Sequence, residues 1–165
     1  MPLLECVRQA ERRLADNLPP SAYLPIEGIQ SDDKAVQALV FCAELDALKG
    51  GRIVTAQALG GTGGLKIGAD FLRRAAPEAQ VWISDPSWEN HRALFENAGF
   101  TVNSYPYYDP ATHGIDFRAM LAALRDLPQE SIVVLHACCH NPTGVDLTPE
   151  QWGQVIETVA ARSLV

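Results

Sequence analysis

No apolar run in these 165 residues approaches the roughly 18 needed for a helix to cross a bilayer. Met1 to Leu14 carries Glu5, Arg8, Glu11, Arg12 and Arg13, so it lacks the uninterrupted apolar core of a secretory signal. Positive charge is scarce. Lys and Arg number 13 against 20 Asp and Glu, for a net charge of −7 and no basic stripe. That argues against nucleic acid as a partner. Only three lysines occur: Lys34, Lys49 and Lys66. Cysteine is sparse too. Cys6, Cys42, Cys138 and Cys139 have no regular spacing, and Cys138 and Cys139 fall in a predicted buried strand. Reduced thiols packed as small hydrophobes fit a cytoplasmic protein. Internal repeats, low-complexity tracts and linker-like stretches are absent.

What is present is the composition of a globular domain, 47% apolar and 20% charged. Leu3, Val7, Ala10 and Leu14 mark an amphipathic helix, broken by Asn17-Leu18-Pro19-Pro20-Ser21. A second helix is expected from Ser31 to near Gly50-Gly51. Strand and helix signals then alternate. Arg52–Leu59, Gln80–Ser84, Phe100–Tyr108 and Ser131–Cys138 read as strands. Helical stripes follow them: Leu65, Ala69, Leu72 and Ala76; Trp88–Asn97, closed by Gly99; Phe117, Met120, Leu121 and Leu124, capped by Asp116. The final helix starts with Thr148 as N-cap, Pro149 at N1 and Gln151 completing a capping box. This β-α-β-α-β-α-β-α pattern predicts an α/β fold with a largely parallel sheet covered by helices. A new apolar run begins at Leu164-Val165, so the domain is expected to be truncated.

Candidate site residues sit where strands end, the rim at which open α/β sheets bind ligands. Gly60-Gly61-Thr62-Gly63-Gly64 opens a helix. Backbone N–H groups there are unsatisfied and favour an anion, although a plain strand-to-helix turn remains open. A dinucleotide site is a rival. Gly61-x-Gly63 begins that fingerprint and Asp85 stands near a ribose-binding position, but Lys66 replaces the third glycine. Trp88 lies among polar residues past a strand end, suited to stacking on a flat ring. Core packing is its common alternative. Asn141 follows an apolar strand and precedes Pro142. Its amide carries both donors and an acceptor, though Asn-Pro also opens ordinary turns. Trp88 and Asn141 are expected at one rim. Tyr23 is a loop aromatic. His136, Cys138 and His140 would share one face of a strand. Their span of about 13 Å between His136 and His140 is too long for one tetrahedral metal, so no metal site is expected.

Cys139-His140-Asn141-Pro142-Thr143-Gly144, the glycine cluster, Ser84-Asp85-Pro86-Ser87-Trp88-Glu89-Asn90-His91 and Tyr23-Leu24-Pro25-Ile26-Glu27-Gly28 together resemble the class I aminotransferases. The likeness is to the aspartate and aromatic amino-acid (tyrosine) branch. It implies the large domain of a fold-type I pyridoxal-phosphate transferase, an α/β/α sandwich on a mostly parallel sheet. Residues 1–50 would be a helical segment with an interface loop, and 51–165 the first half of the cofactor-binding domain. In the resembled family the first and second strands do not pair. Pyridoxal 5′-phosphate would be held by Gly60, Gly61, Thr62, Trp88 and Asn141, with Tyr23 reaching it across a homodimer. Trp88, Asn141 and Tyr23 would also meet the substrates, an aromatic amino acid or aspartate and a 2-oxo acid such as 2-oxoglutarate. No catalytic residue is assigned. The Schiff-base lysine has no counterpart, because none of the three lysines has its context. A dinucleotide-binding module and an inactive remnant are the alternative readings.

Overall fold

The computed structural model describes residues 2–18, 20, 22–42 and 44–165. The chain forms two compact units, Met1–Gln57 and Ala58–Val165.

The first unit contains α1 (Glu5–Asp16), α2 (Gln30–Phe41) and α3 (Asp46–Lys49). No residue of α1 is buried. The expected second helix does not run on to the glycine pair. It ends at Cys42, whose φ of 62° breaks the helical path, and resumes only as the single turn of α3. Arg52–Leu59 is also not a strand. It has no regular secondary structure, no strand among the described residues pairs with it, and Val54 is 90% exposed. A strand without a ladder partner leaves its backbone groups to water or side chains. Here Gln57 supplies the main ties. Its backbone N–H donates to Glu27 O (2.8 Å), its Oε1 accepts from Ile29 N–H (2.8 Å), and its Nε2 donates to Asp32 (2.7 Å). Gly28 makes this possible. It has φ +101°, and a Cβ there would lie 2.3 Å from Gln57 Oε1.

The second unit is a three-layer α/β/α arrangement. Its helices and strands are α4 (Gly60–Ala75), β1 (Val81–Asp85), α5 (Glu89–Asn97), β2 (Val102–Pro106), β3 (Tyr108–Asp109), β4 (Gly114–Ile115), α6 (Phe117–Asp126), β5 (Ile132–Val133) and α7 (Pro149–Ala161). The main sheet has order β2-β1-β5 and is parallel throughout, with Val81 opposite Val102 on one side and Ile132 on the other. β1 is the central strand, and its side chains alternate between two cores. Val81 and Ile83 pack with Ala69, Phe95, Phe100, Val102 and Ile132 beneath α4 and α5. Trp82 faces the opposite core, built from Tyr105, Met120, Leu121, Leu124 and Val155 beneath α6 and α7.

Local signals explain the helix ends. Asp116 accepts from Ala119 N–H, and the Thr148–Gln151 capping box is complete in both directions. Gly99 follows α5 with φ +92°, the left-handed stop that glycine permits. Two features depart from the sequence-based expectation. The predicted strand over 100–108 ends at Pro106, and the chain then forms the β3–β4 hairpin. The predicted strand over 131–138 is short, with only Ile132–Val133 in the ladder. Beyond Leu135 the backbone turns, so Cys138 and Cys139 are exposed rather than buried. Val165 and Ser131–Val133 exchange backbone hydrogen bonds (2.9 and 3.0 Å), placing Val165 alongside β5.

Leu124 is fully buried between α6 and α7, so Leu124→Ala should destabilise the folded chain by about 2–5 kcal/mol. Thr148→Ala should cost about 1 kcal/mol through the lost cap. Urea unfolding followed by circular dichroism measures both. Equal midpoints for Leu124→Ala and the parent would contradict the packing described here.

Candidate functional site

Because β1, β2 and β5 are parallel, their C-terminal ends share one rim. α4 leads into β1 and α5 leaves it, so each runs back along the sheet and begins at that rim. Gly60, Gly61 and Thr62 form the first turn of α4 and are exposed. The N-cap residue is Leu59, with no side-chain capping bond, so the first N–H groups of α4 have no side-chain acceptor. Nothing lies within 4 Å of a Cβ built on Gly60 or Gly61. That bare, positively polarised turn suits an anion.

Trp88 is the N-cap of α5 and is half-buried. It borders a cleft of about 360 Å³ lined by Ser84, Asp85, Ser87, Glu89, Arg92 and others at the ends of β1 and β2. From Trp88 a chain of ring contacts crosses the rim. Trp88 meets His91 edge-on (centroids 5.4 Å), His91 meets His136 (5.0 Å), His136 meets His140 (4.5 Å), and His140 stacks on Tyr107 (3.9 Å, 12°). Asn141 joins this chain through its backbone N–H, which donates to His136 Nδ1 (3.0 Å), while its side chain is exposed. Trp88 and Asn141 therefore stand on the same end of the sheet. Asp85–Pro86 and Asn141–Pro142, the turns that carry them, are both cis. Tyr23 belongs to the first unit, where it is fully exposed in its loop.

The turn bearing Asn141 is tightly tied. The Asp146 carboxylate accepts from Cys139 N–H (2.7 Å) and His140 N–H (2.8 Å), and these bonds hold its pKa below the usual carboxylate value. Gly144 N–H returns to His140 O (2.6 Å), and Tyr107 Oη donates to Val145 O (2.6 Å). Burial, with Asp146 adding to it, pushes the Tyr107 phenol up to about 12. Three imidazoles are held neutral. Burial, then His136, lowers His91; burial lowers His136 against the pull of Asp146; burial, then His136, lowers His140 to about 4.

Several of these residues escape the sequence reading. His91, Ser84 and Asp146 were assigned no role, and His140 was considered only as a metal ligand. One signal was available: Ser87 and His91 are four apart at a helix start, and Ser87 Oγ does bond His91 Nδ1 (2.9 Å). His136 and His140 are not separated by the roughly 13 Å of an extended strand, because that segment turns and brings the rings to 4.5 Å. Among the described residues, no group of three or more His, Cys, Asp or Glu is placed to hold a metal. The three lysines all lie on helices. Lys34 is in α2, Lys49 in α3 pairs with Glu44 (2.6 Å), and Lys66 in α4 pairs with Asp70. No helix is long and apolar enough to cross a membrane among the described residues.

The second unit is thus a parallel α/β/α layer structure with an exposed helix start, an indole and an amide on one rim. All of residues 1–165 match the family aminotransferase class I and II. The chain belongs to that family, in its aspartate and aromatic aminotransferase branch. It is 56% identical over 165 residues to an aspartate aminotransferase of Pseudomonas aeruginosa, covering 100% of this chain and 42% of that protein. It is 53% identical over 168 residues to an aromatic-amino-acid aminotransferase of Escherichia coli, again covering 100% and 42%. The crystal structure of an aromatic-amino-acid aminotransferase from Burkholderia pseudomallei, covalently bound to pyridoxal phosphate, superposes with a TM-score of 0.95 at 60% identity. That superposition covers 99% of this chain and 41% of the solved one. The chain thus spans about two fifths of the length of these relatives. Membership disfavours the dinucleotide reading, and so does the structure. The glycines lie inside a helical first turn and follow no paired strand, which that fingerprint requires.

The neutral imidazoles make stability pH-dependent. Their folded pKa values lie below the ordinary 6.5, so the unfolded chain binds protons first on acidification. The stabilisation is complete above 6.5 and is lost as pH falls toward about 4. The urea midpoint should drop between pH 7 and pH 5, and His140→Phe should flatten that slope. A midpoint independent of pH over this interval would show that the rings are not held neutral.

Proposed function

We propose that these residues are the cofactor-binding part of an enzyme that moves an amino group. The donor is an aromatic amino acid or aspartate, and the acceptor a 2-oxo acid such as 2-oxoglutarate. The observation that carries this reading is the common rim of the Gly60–Thr62 turn, Trp88 and Asn141. Those groups match three parts of pyridoxal phosphate. When bound, the cofactor supplies the electron sink for amino transfer. The Gly60–Thr62 turn holds its phosphate at the positive end of α4 through the N–H groups of Gly61 and Thr62, while Gly60 N–H is bonded to Ala58 O (2.9 Å). The Trp88 indole covers the ring and narrows the space for substrate. The Asn141 amide donates to the phenolic oxygen and to the substrate carboxylate. Tyr23 reaches the phosphate site of a second copy in a homodimer. The location is cytoplasmic. A relative from Psychrobacter, 45% identical, is an aromatic aminotransferase crystallised with aspartic acid, in keeping with either donor class.

In the complete enzyme, Gly61→Val should place a branched side chain where the phosphate approaches. Pyridoxal phosphate affinity, titrated by absorbance, should fall at least about tenfold, corresponding to about 1.4 kcal/mol. Among the described residues nothing lies within 4 Å of a Cβ at that position, so the fold itself should tolerate the change. Unchanged affinity would remove the turn from the site.

The 165-residue chain by itself should not transaminate. An amine must move a proton at the reacting carbon, and Lys66 and Lys49 are engaged in ion pairs on helices while Lys34 lies in α2. Assay with an aromatic amino acid and 2-oxoglutarate, beside a full-length relative, should give only the background of free pyridoxal phosphate. Turnover within about tenfold of the relative would refute the argument.

A further inference from the structure

His140 is 2% exposed, yet every polar group of its ring has a partner. Nδ1 meets Thr143 Oγ1 at 2.8 Å, and Nε2 meets Ser84 Oγ at 2.9 Å. Thr143 Oγ1 also accepts from Val145 N–H (3.2 Å), and the neutral ring meets the two hydroxyls with one donor and one acceptor nitrogen. Ser84, itself 2% exposed, lies near the end of β1, while Thr143 lies two residues beyond Asn141. Tyr107 stacks on the ring and His136 lies 4.5 Å away. Among the described residues, only two hydrogen bonds tie the segment 139–146 to the ends of β1 and β2. They are His140 to Ser84 and Tyr107 to Val145, and the first adjoins Asn141 directly.

We propose that His140 is a positioning residue for Asn141: beside the bond from Asn141 N–H to His136, its ring clamps the Asn-Pro-Thr-Gly turn to the end of β1 and so fixes where the Asn141 amide stands. This rests on the reading that Asn141 binds cofactor and substrate. A flat ring with a donor on one edge and an acceptor on the other spans strand and turn without a rotatable link between its two bonds. A buried hydrogen-bonded bridge of this kind has one low-energy geometry, because breaking either bond strands a polar atom away from water. His140 touches the reaction only through its neighbour.

The test is a double-mutant cycle in the complete enzyme, read by the dissociation constant of pyridoxal phosphate for the apoenzyme and by KM and kcat for aspartate. Asn141→Ala should weaken binding about tenfold, and His140→Phe, which keeps the stacking surface, about fivefold. In the Asn141→Ala background His140→Phe should add less than about twofold, because contacting residues of one unit are not additive. Thr143→Val and Ser84→Ala each remove one bond and should give smaller effects with the same loss of additivity. Should His140→Phe fail to fold, the cycle of Thr143→Val with Asn141→Ala decides in the same terms. Multiplicative effects would overturn the proposal and leave His140 as a packing residue, while Asn141 keeps its role. A silent Asn141→Ala would remove Asn141 from the site, and the positioning role with it.

Discussion

Everything at the candidate site depends on the parallel pairing of β1 with β2 and β5. Parallel strands all finish on one side, and the helices joining them all begin there. A glycine turn at the start of α4, an indole at the start of α5 and an amide after β5 are far apart in sequence. The sheet brings them to one edge. An antiparallel β5 would send the amide to the opposite end.

The rim itself is built from uncharged rings. Trp88, His91, His136, His140 and Tyr107 touch in series, and burial keeps the three imidazoles neutral. A neutral imidazole is donor and acceptor at once, so it can link two polar groups that a cation could not. His140 does this between Ser84 and Thr143. The Asp146 carboxylate that ties the turn spends its oxygens on backbone N–H groups rather than on a side-chain cation. The rim thus combines aromatic faces and an amide with the charged side chains Asp85, Glu89 and Arg92 that line the cleft beside Trp88.

The first unit is organised differently. It has almost no core of its own, and many of its large apolar residues, Tyr23 and Ile26 among them, are exposed. Around Gly28 its ties come from Gln57, whose side chain bonds Ile29 and Asp32 and whose backbone N–H bonds Glu27 O. Local hydrogen bonds can fix a loop in this way where burial is insufficient.

How much was legible in the sequence depended on the range of the interaction. The α/β class, the Asp116 and Thr148 caps, the Gly99 stop and the alternation feeding two cores are consequences of neighbours within a few residues, and the sequence by itself determined them. Trp88 and Asn141 were placed at strand ends by the same local logic. Strand extent was not local. Arg52–Leu59 has strand-like residues but no ladder partner, and Ser131–Cys138 gives up its regular path after Val133. Pairing depends on a neighbour contributed from elsewhere, which no window of sequence contains. The turn after Leu135 then decided what the sequence had misread, carrying His136 to His140 and exposing both cysteines. The bond from His140 to Ser84, 56 residues back, belongs wholly to the tertiary structure, because only the folded sheet brings those two atoms within reach.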